Sequence, residues 1–158
     1  MHDKIPLNPI SRVFALLLLI FCTAAPALSE QDYLLPDDAF RPSGKAKAAD
    51  TISVRWDIAE DYYLYRNKFR FTSEKGDVEL GSPRFPPAKV KQDEFFGEVE
   101  IYRQAVTIEI PVTRRPSKAT TLKLKAVVQG CADAGLCYPP HSQYLTIDLP
   151  TAESAPKS

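Results

Sequence analysis

Ile52-Ser53-Val54-Arg55-Trp56-Asp57-Ile58 decides the fold. Apolar and polar side chains alternate with a period of two, so an extended chain puts Ile52, Val54, Trp56 and Ile58 on one face and Ser53, Arg55 and Asp57 on the other. Further strands follow the same rule. Phe69 and Phe71 flank Arg70 before the turn Glu74-Lys75-Gly76-Asp77. Val106, Ile108, Ile110 and Val112 form one alternation, and Leu122, Leu124, Ala126 and Val128 another. Leu145, Ile147 and Leu149 line one side of Tyr144 to Leu149. Val78 to Leu80 and Val99 to Tyr102 are weaker candidates. About seven short strands separated by turn residues predict an all-β sandwich. Pro83, Pro86 and Pro87 belong in a loop or at an edge, because proline has no amide to donate to a ladder. Residues 31 to 47 read as irregular, with Leu34, Leu35 and Phe40 available to pack across the sandwich.

Residues 1–27 read as a secretory signal: Lys4 and Arg12 carry positive charge, Val13 to Cys22 is apolar, and Ala25-Pro26-Ala27 offers a cleavage site. Cys22 leaves with that peptide, and Ile20 and Phe21 before it are too large for a lipoprotein signal. No other segment approaches the roughly 18 apolar residues of a membrane span, so no direct insertion of the mature domain is expected. Residues 28–150 are enough for one domain with its own core. Residues 151–158 are small and polar, a tail or the start of a linker. The chain has 20 basic and 20 acidic side chains. Losing Asp3, Lys4 and Arg12 leaves a formal charge of −1, which gives no support for nucleic-acid or membrane-surface binding. The signal suits a bacterial periplasm.

Export places Cys131 and Cys137 where disulfides persist. A staple closing about seven residues contributes about 2.4 kcal/mol by chain entropy, against about 4.7 for a loop of about 100. This pair ties only a local turn after Val128, within reach of a partner's sulfur. A structural disulfide and a reactive pair both remain open on spacing alone. A metal site would need more ligands than Cys131, Cys137 and His141, since His2 lies in the signal and Met1 is the sole methionine.

The segment Gln129-Gly130-Cys131-Ala132-Asp133-Ala134-Gly135-Leu136-Cys137-Tyr138-Pro139-Pro140 resembles the active-site segment of the amino-terminal periplasmic domain of DsbD, a thiol:disulfide interchange protein. Three more segments carry the likeness: Asp61-Tyr62-Tyr63-Leu64-Tyr65-Arg66, Asp93-Glu94-Phe95-Phe96-Gly97 with Glu100-Ile101-Tyr102-Arg103, and Leu35-Pro36-Asp37-Asp38-Ala39-Phe40. The resemblance implies an immunoglobulin-like β-sandwich with the redox cysteine pair on a hairpin. It implies a protein-disulfide reductase without cofactor or metal, in which Cys137 attacks a partner's disulfide and Cys131 resolves the mixed disulfide. The implied electron donor is the membrane-embedded part of DsbD, which in the full-length family also has a thioredoxin-like domain. The implied acceptors are periplasmic thioredoxin-like proteins, namely a DsbC-like isomerase and a cytochrome c maturation thioredoxin. Absence of those further domains marks the chain as a fragment or a stand-alone version.

The same resemblance makes Asp93 to Gly97 a lid, with Phe95 over the sulfurs. Asp93 and Glu94 would oppose a thiolate if they point inward, and Gly97 would let the lid swing. Tyr63 and Tyr65 would line the site, and Tyr138 with Pro139-Pro140 would stiffen the hairpin. His141 reads as a solvated loop residue, or a cation within reach of a thiolate. The competing reading is an exported β-sandwich interaction module with a purely structural disulfide.

Overall fold

In the computed structural model, residues 32–48, 50–114 and 117–151 are described. The signal peptide and residues 152–158 of the tail lie outside them. A short helix, α1 (Pro36–Ala39), leads into β1 (Phe40–Ala48), β2 (Thr51–Ile58) and β3 (Tyr62–Tyr65). A 3-10 turn at Arg66–Lys68 precedes β4 (Arg70–Ser73), β5 (Glu79–Leu80), β6 (Lys89–Asp93) and β7 (Gly97–Tyr102). Then come β8 (Ala105–Arg114), β9 (Thr120–Val128), β10 (Gly130–Ala132) and β11 (His141–Leu149).

Two sheets face each other, β1-β2-β8-β5 and β11-β9-β4, and a third, β10-β3-β7-β6, is built alongside. The fold is all-β, an immunoglobulin-like sandwich. Its core is made of the alternating residues: Ile52, Val54 and Trp56 from β2, Ile108 and Ile110 from β8, Leu122 and Leu124 from β9, and Ile147 and Leu149 from β11, all essentially unexposed. Each such aliphatic side chain contributes about 1.5–3 kcal/mol on burial. Trp56 packs edge-on against Phe69 at 5.1 Å between ring centroids. Its indole N–H donates to Gln143 Oε1 at 2.9 Å, and the Gln143 amide donates to the Phe40 carbonyl at 2.6 Å. The buried glutamine thus joins β2 to β11 with its own polar atoms paired.

The leading segment differs from expectation. Residues 40–48 form a strand paired with β2, from Phe40 opposite Ile58 to Ala48 opposite Thr51, with one register shift between Ala46 and Ala48. The inward positions Pro42, Gly44 and Ala46 carry no large apolar group. A Cβ on Gly44 would lie 2.8 Å from the Ile147 side chain, so the facing sheet needs a small residue there. Leu34 and Leu35 do not pack across the sandwich: they are 41% and 71% exposed. It is the backbone of this segment that is engaged, with the Leu34 amide donating to the Tyr62 hydroxyl and its carbonyl accepting from the Tyr138 hydroxyl. His141 is not in a loop. It begins β11 opposite Val128, with Nε2 2.8 Å from Asp37 Oδ1. Pro83, Pro86 and Pro87 lie in the connection from β5 to β6. Among the described residues no helix is long and apolar enough to cross a membrane.

The third sheet is covered on both faces. Tyr62, Leu64 and Tyr102 join the main core, whereas Tyr63, Tyr65, Val99 and Ile101 form a second cluster with Cys131. That is why all four residues of β3 are buried although their side chains alternate.

Candidate active site

The second cluster is where the cysteines sit. β10 pairs antiparallel with β3, placing Gly130 opposite Leu64, Cys131 opposite Tyr63 and Ala132 opposite Tyr62. The chain turns at Asp133 and Ala134 and comes back through Gly135, whose φ of +100° suits glycine. The Gly135 amide donates to the Ala132 carbonyl at 3.0 Å. On the returning limb the Ala132 amide donates to Leu136 O and the Tyr138 amide to Gly130 O. Cys131 and Cys137 therefore face each other as a cross-strand pair between those bonds, the closely spaced kind. Their Cα atoms are 4.0 Å apart and their sulfurs are joined.

Gly130 has its own constraint. A Cβ there would stand 2.2 Å from the Tyr63 carbonyl oxygen and 2.7 Å from the Phe40 ring. Only glycine lets β10 lie this close to β3, so the residue before the first cysteine sets the depth of the sulfur.

The two sulfurs differ. Cys131 is fully buried, and Cys137 is half-buried at a cleft of about 110 Å³ lined by Tyr63, Lys91, Asp93, Phe95 and Asp133 among others. The Tyr65 hydroxyl lies 3.1 Å from Cys131 Sγ and 3.9 Å from Cys137 Sγ. Tyr63 and Tyr65 share a face of β3, and both hydroxyls donate to Asp93 Oδ2 at 2.8 Å. Asp93 Oδ1 accepts from the amides of Phe95 and Phe96 at 2.9 and 3.1 Å. One buried carboxylate thus closes the turn of residues 93–96 and ties it to the tyrosines beside the sulfurs.

Electrostatics follow from these bonds. Burial pushes Tyr63 up to about 12 and Tyr65 further, so both phenols remain neutral donors. Burial also works against the Asp93 carboxylate, but hydrogen bonds from Tyr63, Tyr65 and the two amides outweigh it and hold the group below the usual carboxylate range. Lys91 Nζ stands 4.0 Å from Asp93 Oδ2 and 4.9 Å from the centre of the Tyr63 ring.

Cys131, Cys137, Tyr63, Tyr65 and Asp93 come together as one hydrogen-bonded group. Glu94, Phe95, Phe96 and Gly97 form the exposed rim. The Phe96 ring packs edge-on against Tyr65 at 5.3 Å, with Lys68 Nζ 4.5 Å from its centre. Phe95, the ring expected over the sulfurs, is 61% exposed and lines the cleft with Cys137. Gly97 ends the turn at φ +71°. Tyr138 is buried against Phe40 and Tyr62, and Pro139 and Pro140 are exposed. Arg103, which residue type alone did not single out, donates from both terminal nitrogens to Asp133 at 2.6 Å. Its partner is 30 residues away, so only the matched segment around it offered a signal. Among the described residues no group of three or more His, Cys, Asp or Glu could hold a metal ion.

The family model described as thiol:disulfide interchange protein DsbD, N-terminal, matches residues 30–149. The chain is 41% identical over 116 residues to thiol:disulfide interchange protein DsbD 1 of Pseudomonas aeruginosa, covering 73% of this chain and 19% of that protein. It is 33% identical over 153 residues to DsbD of Ralstonia nicotianae, covering 96% and 25%. It thus spans a fifth to a quarter of these relatives. The crystal structure of the Neisseria meningitidis DsbD N-terminal domain in the reduced form matches with a TM-score of 0.65 and 36% identity, over 73% of this chain and 90% of that one. The complex between the DsbD and PilB N-terminal domains from Neisseria meningitidis matches at 0.60 and 36%, over 73% and 87%. With the family model matching residues 30–149 and a relative 41% identical over 116 residues, the chain belongs to the family of DsbD N-terminal domains.

Proposed function

We propose that this domain is a protein-disulfide reductase, a thiol:disulfide exchange carrier that works in the periplasm. It accepts reductant from a membrane-embedded DsbD-type domain and hands it to thioredoxin-like proteins. The acceptors include a DsbC-like isomerase and a cytochrome c maturation thioredoxin. The observation that carries this reading is the asymmetry of the pair: Cys137 borders a cleft while Cys131 lies beneath it against Tyr65.

In the dithiol form, the Cys137 thiolate attacks one sulfur of the partner's disulfide. That bond breaks, a Cys137–partner mixed disulfide forms, and the partner's other sulfur leaves as a thiolate that takes up a proton. Cys131, having lost its proton, then attacks Cys137 Sγ. The mixed disulfide breaks, the partner's second thiolate departs, and the Cys131–Cys137 bond forms. Two electrons pass to the partner, and no cofactor is required.

Tyr65 and Asp93 act on the resolving sulfur. The Tyr65 hydroxyl has one proton, and a buried carboxylate attracts it more than a divalent sulfur does. Its oxygen is therefore presented to Cys131, ready to accept from the thiol. Asp93 is a poor store for that proton: the hydrogen bonds from Tyr63, Tyr65 and two amides hold its carboxyl below the usual carboxylate range, far more acidic than a thiol. Asp93 orients Tyr65 and holds the turn of residues 93–96, which acts as a lid over the pair. The rings of Phe95 and Phe96 exclude water from the dithiol until a partner displaces them.

Trapping tests the assignment of roles. With Cys131→Ser, a disulfide-bonded thioredoxin-like domain should accumulate as a covalent complex through Cys137. With Cys137→Ser in its place, less than about a tenth as much should form. Equal trapping by the two variants would contradict the assignment.

A further inference from the structure

The pair of hydrogen bonds between Arg103 and Asp133 has no part in the chemistry just described. Arg103 follows β7, and Asp133 is the first residue of the turn between the cysteines. β3 lies between β7 and β10, so the Arg103 side chain has to cross it. It does so over Tyr63, with its guanidinium carbon 5.1 Å from the ring centre. Both terminal nitrogens then reach Asp133, each at 2.6 Å, with side-chain exposures of 29% and 37%. The Asp133 amide is held too, donating to Asp61 O at 2.8 Å. Asp61 has a φ of +62°, an uncommon conformation for an aspartate that turns its carbonyl towards the hairpin.

Most half-exposed ion pairs contribute little, but a two-pronged guanidinium–carboxylate pair is the exception, because the fork fixes direction as well as distance. Here it fixes the start of a turn only four residues short of the second sulfur. The returning limb is held differently, by its backbone bonds to Ala132 and Gly130 and by the buried Tyr138 just after the second sulfur, while the side chains of the turn itself are exposed. When the disulfide opens, the covalent tie across the hairpin is lost while the guanidinium can stay in place.

We propose that Arg103 is a positioning residue for the redox pair: by clamping Asp133 it keeps the hairpin closed in the dithiol and mixed-disulfide forms, so that Cys131 remains within striking distance of Cys137. The inference rests on the exchange reading above and goes beyond it. Preorganisation of this kind raises the effective concentration of the resolving sulfur. The clamp and the disulfide restrain the same turn, so each makes the other easier to form. Removing the clamp therefore favours the dithiol.

The test equilibrates the pair against reduced and oxidised glutathione, two molecules of the thiol being consumed for each disulfide opened. Wild type is compared with Arg103→Ala, Arg103→Lys and Asp133→Asn. Arg103→Ala should shift the equilibrium at least fivefold towards the dithiol, about 20 mV less negative. It should also prolong the lifetime of the mixed disulfide between Cys137 and glutathione by a similar factor. Arg103→Lys keeps the charge without the fork and should behave like alanine. Asp133→Asn, a change on an exposed turn, should shift the same way by less and add nothing in the double variant. Melting of the oxidised form should fall more than that of the reduced form. Equal falls in both forms with an unmoved equilibrium would make Arg103 a structural residue only and overturn the proposal. Restoration by lysine would overturn it as well, by assigning the effect to charge. A wild-type pair that never equilibrates with glutathione or dithiothreitol would instead overturn the exchange reading itself.

Discussion

Asp93 shows how one side chain can serve two structures. Its two oxygens take four hydrogen bonds, two from phenols beside the sulfurs and two from the amides of Phe95 and Phe96. From residue type alone, an acid here reads as a charge that opposes a thiolate. Its bonding explains why it is tolerated in a buried position: both oxygens are paired, and the charge holds the turn of residues 93–96 in place. Because its folded pKa lies below the ordinary 3.8, its stabilisation is present above that value and disappears as pH falls through the depressed one. Asp93→Asn should cost about 2 kcal/mol at neutral pH, since an amide nitrogen replaces one acceptor. The gap between the variant and wild type should then narrow steadily in acid unfolding curves between pH 5 and 2. A gap independent of pH over that range would show that the carboxylate's charge adds no stability.

At the scale of elements, β3 and the 93–96 turn carry the site, and each brings a face to it that the main sandwich does not use. Phe95 is mostly exposed, so Phe95→Ala should change stability by no more than about 0.5 kcal/mol. Phe96→Ala loses the edge contact with Tyr65 and should cost about 1 kcal/mol. Either change should speed oxidation of the dithiol by hydrogen peroxide severalfold, with the pair followed by alkylation. Rates equal to wild type in both variants would remove the lid role. The strands that were legible in the chain are those whose inward positions carry Val, Ile, Leu or Trp, such as β2, β8 and β9. β1 was not, because close approach of the facing sheet at Gly44 demands small residues where a period would otherwise show. β6 was missed for another reason. It is an edge strand with Lys89, Val90 and Gln92 exposed, so no buried face imposes a pattern.

Across the whole molecule, the sandwich is a platform and the third sheet carries the cysteine pair. The main core holds Tyr62, Leu64 and Tyr102 from one side of that sheet, which leaves the other side free to seat a sulfur pair under tyrosines. Composition and periodicity reach the platform, since they report on burial. They do not reach the Tyr65–Asp93 and Arg103–Asp133 contacts, which join residues 28 and 30 apart in sequence. The family resemblance singled out the cysteines, the tyrosines and residues 93–97, which lie together in the structure, but not which of the two phenylalanines meets Tyr65 or what the acid bonds to. The proposed function requires that the Cys131–Cys137 bond open and close in turnover. It is tested most directly by mixing the reduced domain with one equivalent of an oxidised thioredoxin-like domain, then acid-quenching and alkylating both. The partner's disulfide should become a dithiol as the Cys131–Cys137 disulfide forms, mole for mole. Two proteins that keep their starting redox states through hours of mixing would contradict it.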